Sequence, residues 1–72
     1  MMELLTYLDG NKLKRLRVGR GLTQRELASR ADMSPSTIVL LEKRGKNEGF
    51  HPSTVRKLAG ALGVEPNDLL GD

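Results

Sequence analysis

Basic side chains dominate one stretch of this sequence and are missing from another. Between Asn11 and Arg30 the chain has seven lysine and arginine residues and one acid, Glu26, whereas the stretch from Gly63 to the end has three acids and no base. Guanidinium and ammonium groups are the side chains that bind phosphates. The segregated charge therefore indicates a polyanionic partner, and an ordinary solvated surface is the alternative. The seven basic residues are Lys12, Lys14, Arg15, Arg17, Arg20, Arg25 and Arg30.

Side chains that could perform catalysis or bind a metal are scarce. The sequence has no cysteine and one histidine, His51, so a disulfide scaffold is impossible and a structural zinc site lacks ligands. It has no glycine-rich phosphate loop, and its acids are scattered without the pairing that acid–base catalysis uses. Two aromatic residues, Tyr7 and Phe50, are too few for stacking along a single nucleic-acid strand. We expect no cofactor and no metal, and an enzyme is the least favoured class.

The length fits one domain, and no segment predicts a membrane span. A chain of 72 residues lies near the lower size at which one hydrophobic core is sufficient. No apolar run approaches the roughly eighteen residues that cross a bilayer, and the opening MMELLTYL lacks the features of a signal peptide. We expect a cytoplasmic protein with no membrane partner, composed of an N-terminal segment of uncertain structure (1–10) and a folded domain (11–72).

Two amphipathic helices are predicted in the basic stretch. Residues 11–20 place Leu13 and Leu16 on one face, and Gly21 is a C-terminal stop. The next segment, TQRELASRA, has a capping box, in which the Thr23 side chain accepts from the Glu26 amide and the Glu26 carboxylate reaches back. Its apolar stripe is formed by Leu27, Ala28 and Ala31.

A third helix follows after a short turn. Ser34 can cap it and Pro35 suits its first position. Only Asp32 and Met33 precede Ser34, so we expect the second and third helices to meet at a steep angle, with Asp32 in a left-handed conformation. The third helix then has the consecutive apolar run IVLL at 38–41, of which one buried face can hide only about half.

The rest of the chain predicts a loop and two more helices. GKNEGF is a loop, and residues 52–62 form a fourth helix that ends at Gly63. A short fifth helix fits EPNDLL, with Pro66 at its first position. No segment predicts a strand. At the N-terminus, Leu4, Leu5 and Leu8 could form a short helix that Asp9 and Gly10 separate from the next. The apolar face of the fourth helix consists of Val55, Leu58, Ala59 and Leu62.

Helix, short turn and helix, followed by a basic loop, is the arrangement of a DNA-binding helix-turn-helix. The segments LKRLRVGRGLTQRELASRADMSPSTIVLLEKRGK and VRKLAGALGVEPNDLL resemble the Cro and phage-repressor (Xre-like) helix-turn-helix family. The blocks GLTQRELA and LAGALGV are the most characteristic. The resemblance implies an all-α, compact five-helix, lambda-repressor-like DNA-binding domain. The loop EKRGKNEGFHPSTV is longer than the family pattern, which leaves the position of Lys46 open.

In that family the third helix lies in the major groove, which assigns base readout to Pro35, Ser36 and Leu40. Ile38 and Leu41, three residues apart, belong to the core, so Val39 and Leu40 point away from it. Leu40 suits thymine methyl groups, and packing beneath the N-terminal segment or a partner is the alternative. For Val39 we favour packing.

The resemblance also assigns contacts to the DNA backbone and one structural ion pair. Gln24 matches the family position that bonds a phosphate, beside the amides of the helix N-terminus. Ser36 is the better base reader of the two hydroxyls, and Thr37 can use its hydroxyl for Ser34, a phosphate or a capping turn. Arg17 and Glu42 lie at positions where the family implies a salt bridge. The full set of backbone candidates is Gln24, Arg25, Ser34, Thr37, Lys43, Arg44 and Lys46.

These features favour a sequence-specific transcriptional regulator of double-stranded DNA, most simply a repressor that acts as a homodimer on a pseudo-palindromic operator. The family pairs its subunits near residues 46–50 and Pro66, and Leu4, Leu5 and Leu8 are a second candidate surface. The alternative function is a protein-interaction module on the same fold, such as an antitoxin or a bridging factor with a protein partner.

Overall fold

A computed structural model describes residues 6–44, 48–50 and 52–71 of the chain. Four α-helices surround the core, and a two-stranded antiparallel ribbon and a short 3₁₀ helix close one end. Across the described residues, every helix is too short or too polar to cross a membrane. The elements are β1 (Thr6–Leu8), α1 (Gly10–Gly19), α2 (Gln24–Arg30), α3 (Pro35–Arg44), β2 (Glu48–Phe50), α4 (Pro52–Leu62) and the 3₁₀ helix (Pro66–Leu69).

The helix ends follow from local sequence. Asp9, which the sequence analysis treated as a break, is the N-cap of α1, and its Oδ1 accepts from the amides of Asn11 at 2.9 Å and Lys12 at 3.3 Å. The glycines that follow α1 and α4 have positive φ, 71° at Gly21 and 70° at Gly63. A residue with a side chain is strained in that conformation, so these two positions stop their helices.

The capping box predicted for α2 is present. The Thr23 amide donates to Glu26 Oε1 at 2.8 Å, and the Glu26 amide donates to Thr23 Oγ1 at 3.0 Å. Hydrogen bonds from Thr23, first from its backbone amide and then from its side chain, lower the pKa of Glu26 below its ordinary value. Asp32 has φ 56° as predicted, and this left-handed residue turns the chain from α2 into α3.

The core contains apolar residues from every helix and from β1. Leu27, Ala28 and Ala31 of the α2 stripe are buried, as the sequence predicted, and Met33 packs partly buried against the core. Two cationic side chains donate to backbone carbonyls at helix ends: Arg20 Nε to Leu62 O at 2.7 Å, and Lys12 Nζ to Leu70 O at 2.8 Å. The buried apolar residues are Leu8, Leu13, Leu22, Leu27, Ala28, Ala31, Ile38, Leu41, Val55, Leu58, Ala59, Leu62 and Leu69.

Two fold predictions need correction. The predicted fifth α-helix is a single 3₁₀ turn, and the chain forms strands where the sequence predicted none. β1 pairs antiparallel with β2, with Tyr7 opposite Gly49 and Leu8 opposite Glu48. Leu8 also bridges to Leu70, so β1 lies between β2 and the residue that follows the 3₁₀ helix. Leu8 is part of β1, and its side chain is fully buried in the core. It therefore cannot serve as a dimer contact.

Candidate nucleic-acid interface

One face of α3 is exposed and apolar at its centre. Val39 and Leu40 are 43% and 45% exposed, whereas Ile38 and Leu41 on the opposite face are buried, as predicted. Ser36, exposed, lies one turn before Leu40. Because Val39 and Leu40 are adjacent, they form one exposed apolar area at the centre of the helix. We name this surface the α3 face; its residues are Ser36, Val39 and Leu40.

Val39 is part of this surface, as expected of a residue that points away from the core, and its packing beneath the N-terminal segment or a partner stays a prediction. Its side chain lies outside the core, among the exposed large hydrophobic residues. Positions 36, 39 and 40 share one helix face because 39 and 40 lie three and four residues after 36. That spacing is visible in the sequence and could have placed Val39 beside Ser36 and Leu40.

The hydroxyl groups at the start of α3 bond to each other. The Oγ atoms of Ser34 and Ser36 lie 2.8 Å apart, and either one can be the donor. The Thr37 amide donates to the Ser34 carbonyl at 3.0 Å, and the Thr37 side chain is half-buried. The Ser34 hydroxyl thus bonds to the hydroxyl of Ser36. The sequence analysis had offered the Thr37 hydroxyl as a partner for Ser34. Pro35, beside them, is exposed.

A nearly buried ion pair joins α1 to α3. Arg17 Nε lies 2.6 Å from Glu42 Oε2, and Arg17 Nη2 donates to Glu42 Oε1 at 3.0 Å. The two side chains are 12% and 4% exposed. Arg17 Nη1 also donates to the Leu22 carbonyl at 2.7 Å, just before α2. This bidentate pair, which the family resemblance implied, fixes the orientation of α3 relative to α1 and α2.

Gln24 connects the α2 N-terminus to the same carboxylate. Its Nε2 donates to Glu42 Oε1 at 3.1 Å, and its side chain is half-buried. From the sequence, Gln24 is predicted to contact a phosphate, and no pattern predicts its bond to Glu42. The two residues lie 18 positions apart, and only the packing of α2 on α3 brings them together. A side-chain amide has two N–H donors, so the second can still reach a phosphate.

The other candidate residues flank the α3 face. Arg25 near the start of α2, Ser34 in the turn, and Lys43 and Arg44 in the last turn of α3 are all exposed. Lys46 lies outside the described residues. Lys43 and Arg44 put positive charge at the C-terminal end of α3, and the bond from Gln24 to Glu42 brings the start of α2, with Arg25, to the same end.

A family model described as Helix-turn-helix domain matches residues 10–71. The chain belongs to the Xre-like helix-turn-helix family. The match covers the four α-helices and the 3₁₀ helix, so the segment pair α2 and α3 is the helix-turn-helix itself.

The family includes a repressor and a controller protein among the relatives of this chain. This chain is 35% identical over 63 residues to the immunity repressor protein of Bacillus phage phi105, and the match covers 88% of this chain and 42% of that protein. The chain therefore spans less than half the length of this relative. The restriction-modification controller protein C.AhdI from Aeromonas hydrophila superposes with a TM-score of 0.74 and 33% identity, over 85% of this chain and 89% of that one. A hypothetical transcription factor, NHTF, from Neisseria superposes with a TM-score of 0.76 and 27% identity, over 86% and 69%.

Proposed function

We propose that this domain is a transcriptional regulator that binds double-stranded DNA at a specific sequence, with the α3 face in the major groove. The observation that carries the proposal is the exposed pair Val39 and Leu40 on a helix whose other side is fully packed. An α-helix fits the major groove, and that groove distinguishes all base pairs. The relatedness to a phage immunity repressor and a controller protein supports the same function.

Base selection by this face combines apolar and hydroxyl contacts. We assign Leu40 to thymine C5-methyl groups, with Val39 as a second apolar contact. Ser36 gives up its bond to Ser34 and donates to, or accepts from, a base edge. Pro35 adds an apolar contact at the helix start. An operator with thymines in each half-site is therefore expected.

Contacts to phosphates fix the position of the helix without selecting a sequence. We assign this role to the second amide hydrogen of Gln24 and to the exposed cations Arg25, Lys43 and Arg44. Glu42, already paired with Arg17, holds the Gln24 amide in place before DNA binds. Ser34, Thr37 and Lys46 complete the proposed set.

A single recognition helix contacts too few base pairs to select one site among the many in a genome. We therefore propose a two-fold homodimer on a pseudo-palindromic operator, where occupancy blocks transcription. The proposed subunit contact lies near residues 46–50 and Pro66. Of these, residues 46 and 47 lie outside the described part of the chain.

Selection of bound duplexes from a random pool, at stated salt, tests this function. A regulator returns one motif with two-fold symmetry, and its affinity for that motif exceeds its affinity for a scrambled duplex by about a thousandfold or more. A protein-interaction module, such as an antitoxin, would bind all duplexes weakly and return no motif. That second outcome would contradict the proposed function.

A further inference from the structure

A basic cleft lies between α2 and α4, away from α3. Its volume is ≈ 290 Å³, and it is lined by residues from the end of α2, from the turn that follows and from the second half of α4, with none from α3. Three cations, Arg30, Arg56 and Lys57, line it together with one carboxylate, Asp32. We propose that this basic cleft is a second anion site, which binds a ligand with two or more phosphate groups.

Among the described residues that line the basic cleft, Asp32 is the one carboxylate beside three cations. Within the described residues, the side chains of Arg30, Arg56 and Lys57 form no hydrogen bond and no ion pair. The Glu26 carboxylate, one turn before Arg30, accepts from the Thr23 amide, which is the main cause of its lowered pKa, and the charge of Arg30 lowers that pKa further. Asp32 alone leaves two formal positive charges in excess across the cleft. Two such charges match a ligand with at least two negative charges.

The cation types and the cleft lining favour phosphate. An arginine guanidinium offers a planar pair of donors that matches two phosphate oxygens, and two of the three cations are arginines. The remaining lining residues, Ala31, Gly60 and Ala61, are small, so a bulky group can approach the helix backbone. A Cβ added at Gly60 would meet no atom within 4 Å, which shows that this side of the cleft is open space.

Two sources can supply such phosphates: a free polyphosphate ligand, or the DNA backbone outside the operator half-site. Titration with pyrophosphate at constant ionic strength tests the site directly, with the amide NMR signals of Ala31, Gly60 and Ala61 as reporters. We expect saturable shifts confined to the basic cleft. This arm does not depend on the proposed function, since it uses the domain without DNA.

Substitutions at the open glycine isolate the role of charge. Glycine is a poor helix former, so Gly60→Glu and Gly60→Gln both leave α4 intact, and they differ only in whether the new side chain is a carboxylate. We expect pyrophosphate to bind Gly60→Glu about tenfold more weakly than Gly60→Gln. Asp32→Asn keeps a residue type that tolerates positive φ and removes the opposing charge, so it should bind more tightly than the native chain.

The second arm uses duplexes with a selected site and flanks of increasing length. If the DNA backbone is the source, the double variant Arg30→Gln with Lys57→Gln lowers the affinity and its salt dependence on long duplexes only. On short duplexes the same double variant matches the native chain. If a free ligand is the source, flank length has no effect and the pyrophosphate shifts remain.

Non-saturable shifts spread over all exposed basic residues, or equal binding by Gly60→Glu and Gly60→Gln, would overturn the basic cleft as an anion site. A failure of motif selection with a normal pyrophosphate response would overturn only the proposed function.

Discussion

Gln24 and Glu42 are joined by a 3.1 Å hydrogen bond from the amide Nε2 to the carboxylate Oε1. The same oxygen also accepts from Arg17 Nη2 at 3.0 Å, so one nearly buried carboxylate binds groups from α1 and from α2. Gln24, a proposed phosphate-binding residue, is thereby held against a nearly buried group of α3. The bonds of Arg17 and Gln24 to Glu42 also orient the α3 face. Stability and DNA binding should consequently change together when this group of residues is altered.

Loss of the Glu42 carboxylate should strongly lower the free energy of unfolding. Glu42→Ala leaves the Arg17 guanidinium, 12% exposed, without its partner, and breaking such a pair from one side costs about 3 to 5 kcal/mol of unfolding free energy. Lys43→Ala, one residue away and exposed, should change it by less than about 0.5 kcal/mol. The double variant Arg17→Met with Glu42→Leu should recover most of the loss, because no charge is then left unpaired. Urea denaturation decides, and equal midpoints for Glu42→Ala and Lys43→Ala would contradict the prediction.

Gln24→Ala should affect both stability and binding, whereas its neighbour affects only binding. Removal of a hydrogen bond to a charged group costs about 1.5 kcal/mol when the remaining partner, Arg17, stays in place. Arg25→Ala, at an exposed position, should leave the unfolding midpoint unchanged. Both variants should weaken every duplex to a similar degree and leave the selected motif as it is. A changed motif for Gln24→Ala would move Gln24 from phosphate contact to base readout.

Sequence patterns predicted most of the helices because their ends are encoded locally. The capping box at Thr23 and Glu26, the stop at Gly21 and the left-handed Asp32 each require only neighbouring residues. The apolar periodicity of α4 likewise predicted its buried face without any knowledge of the fold.

The missed features depend on contacts between distant parts of the chain. β1 and β2 have three residues each, too few for an alternating pattern to be visible, and Leu8 pairs with Glu48 across 40 positions. The bond between Gln24 and Glu42 has the same origin, since two polar side chains at different helix ends carry no mutual signal in the sequence. Asp9 separates β1 from α1 as predicted, but its role as the N-cap of α1 was missed, because a cap and a break use the same residue types.

Leu40→Ala and Ser36→Ala should each change the selected motif at one or two base pairs. A lost base contact costs about 1 to 3 kcal/mol of discrimination at that position. Val18→Ala is the matched control, because Val18 is 58% exposed but lies on α1, away from the α3 face. Duplex selection should return the native motif for Val18→Ala. If Leu40→Ala also returned it unchanged, the exposed leucine would have to be explained by a protein contact.

Lys43→Ala should weaken all duplexes equally and should not alter the motif. Lys43 is exposed at the end of α3, where a cation reaches phosphates rather than base edges. Loss of one phosphate contact reduces the slope of log affinity against log salt by about one unit. Fluorescence anisotropy over a salt series measures this slope, and a Lys43→Ala slope equal to the native one would remove Lys43 from the backbone set.

The capping box should give a stability contribution that depends on pH. The pKa of Glu26 is lowered in the folded state, mainly by the Thr23 amide, so the contribution is present above the unfolded pKa and is lost as the pH falls through the folded pKa. Glu26→Gln keeps an acceptor for Thr23 but does not titrate. The native chain should therefore melt above Glu26→Gln at neutral pH, and the difference in Tm should vanish in acid. A difference that is constant across the pH series would contradict this account.

Two copies of the domain should bind one operator, and the contact should involve the ribbon end of the fold. Tyr7 of β1 is 55% exposed there. A cavity of ≈ 200 Å³ at the proposed contact near Pro66 is lined by four residues with apolar side chains and one cation: Pro52, Val55, Pro66, Leu70 and Arg56. Half-sites about 34 Å apart would place both α3 faces on one side of the duplex. So small a surface gives weak pairing in solution, and DNA then links the subunits by mass action.

Analytical ultracentrifugation should show a monomer in the absence of DNA and a two-to-one complex with the selected duplex. That complex should be lost for Tyr7→Glu but not for Val18→Glu on α1. A one-to-one complex on a non-palindromic site would refute the dimer.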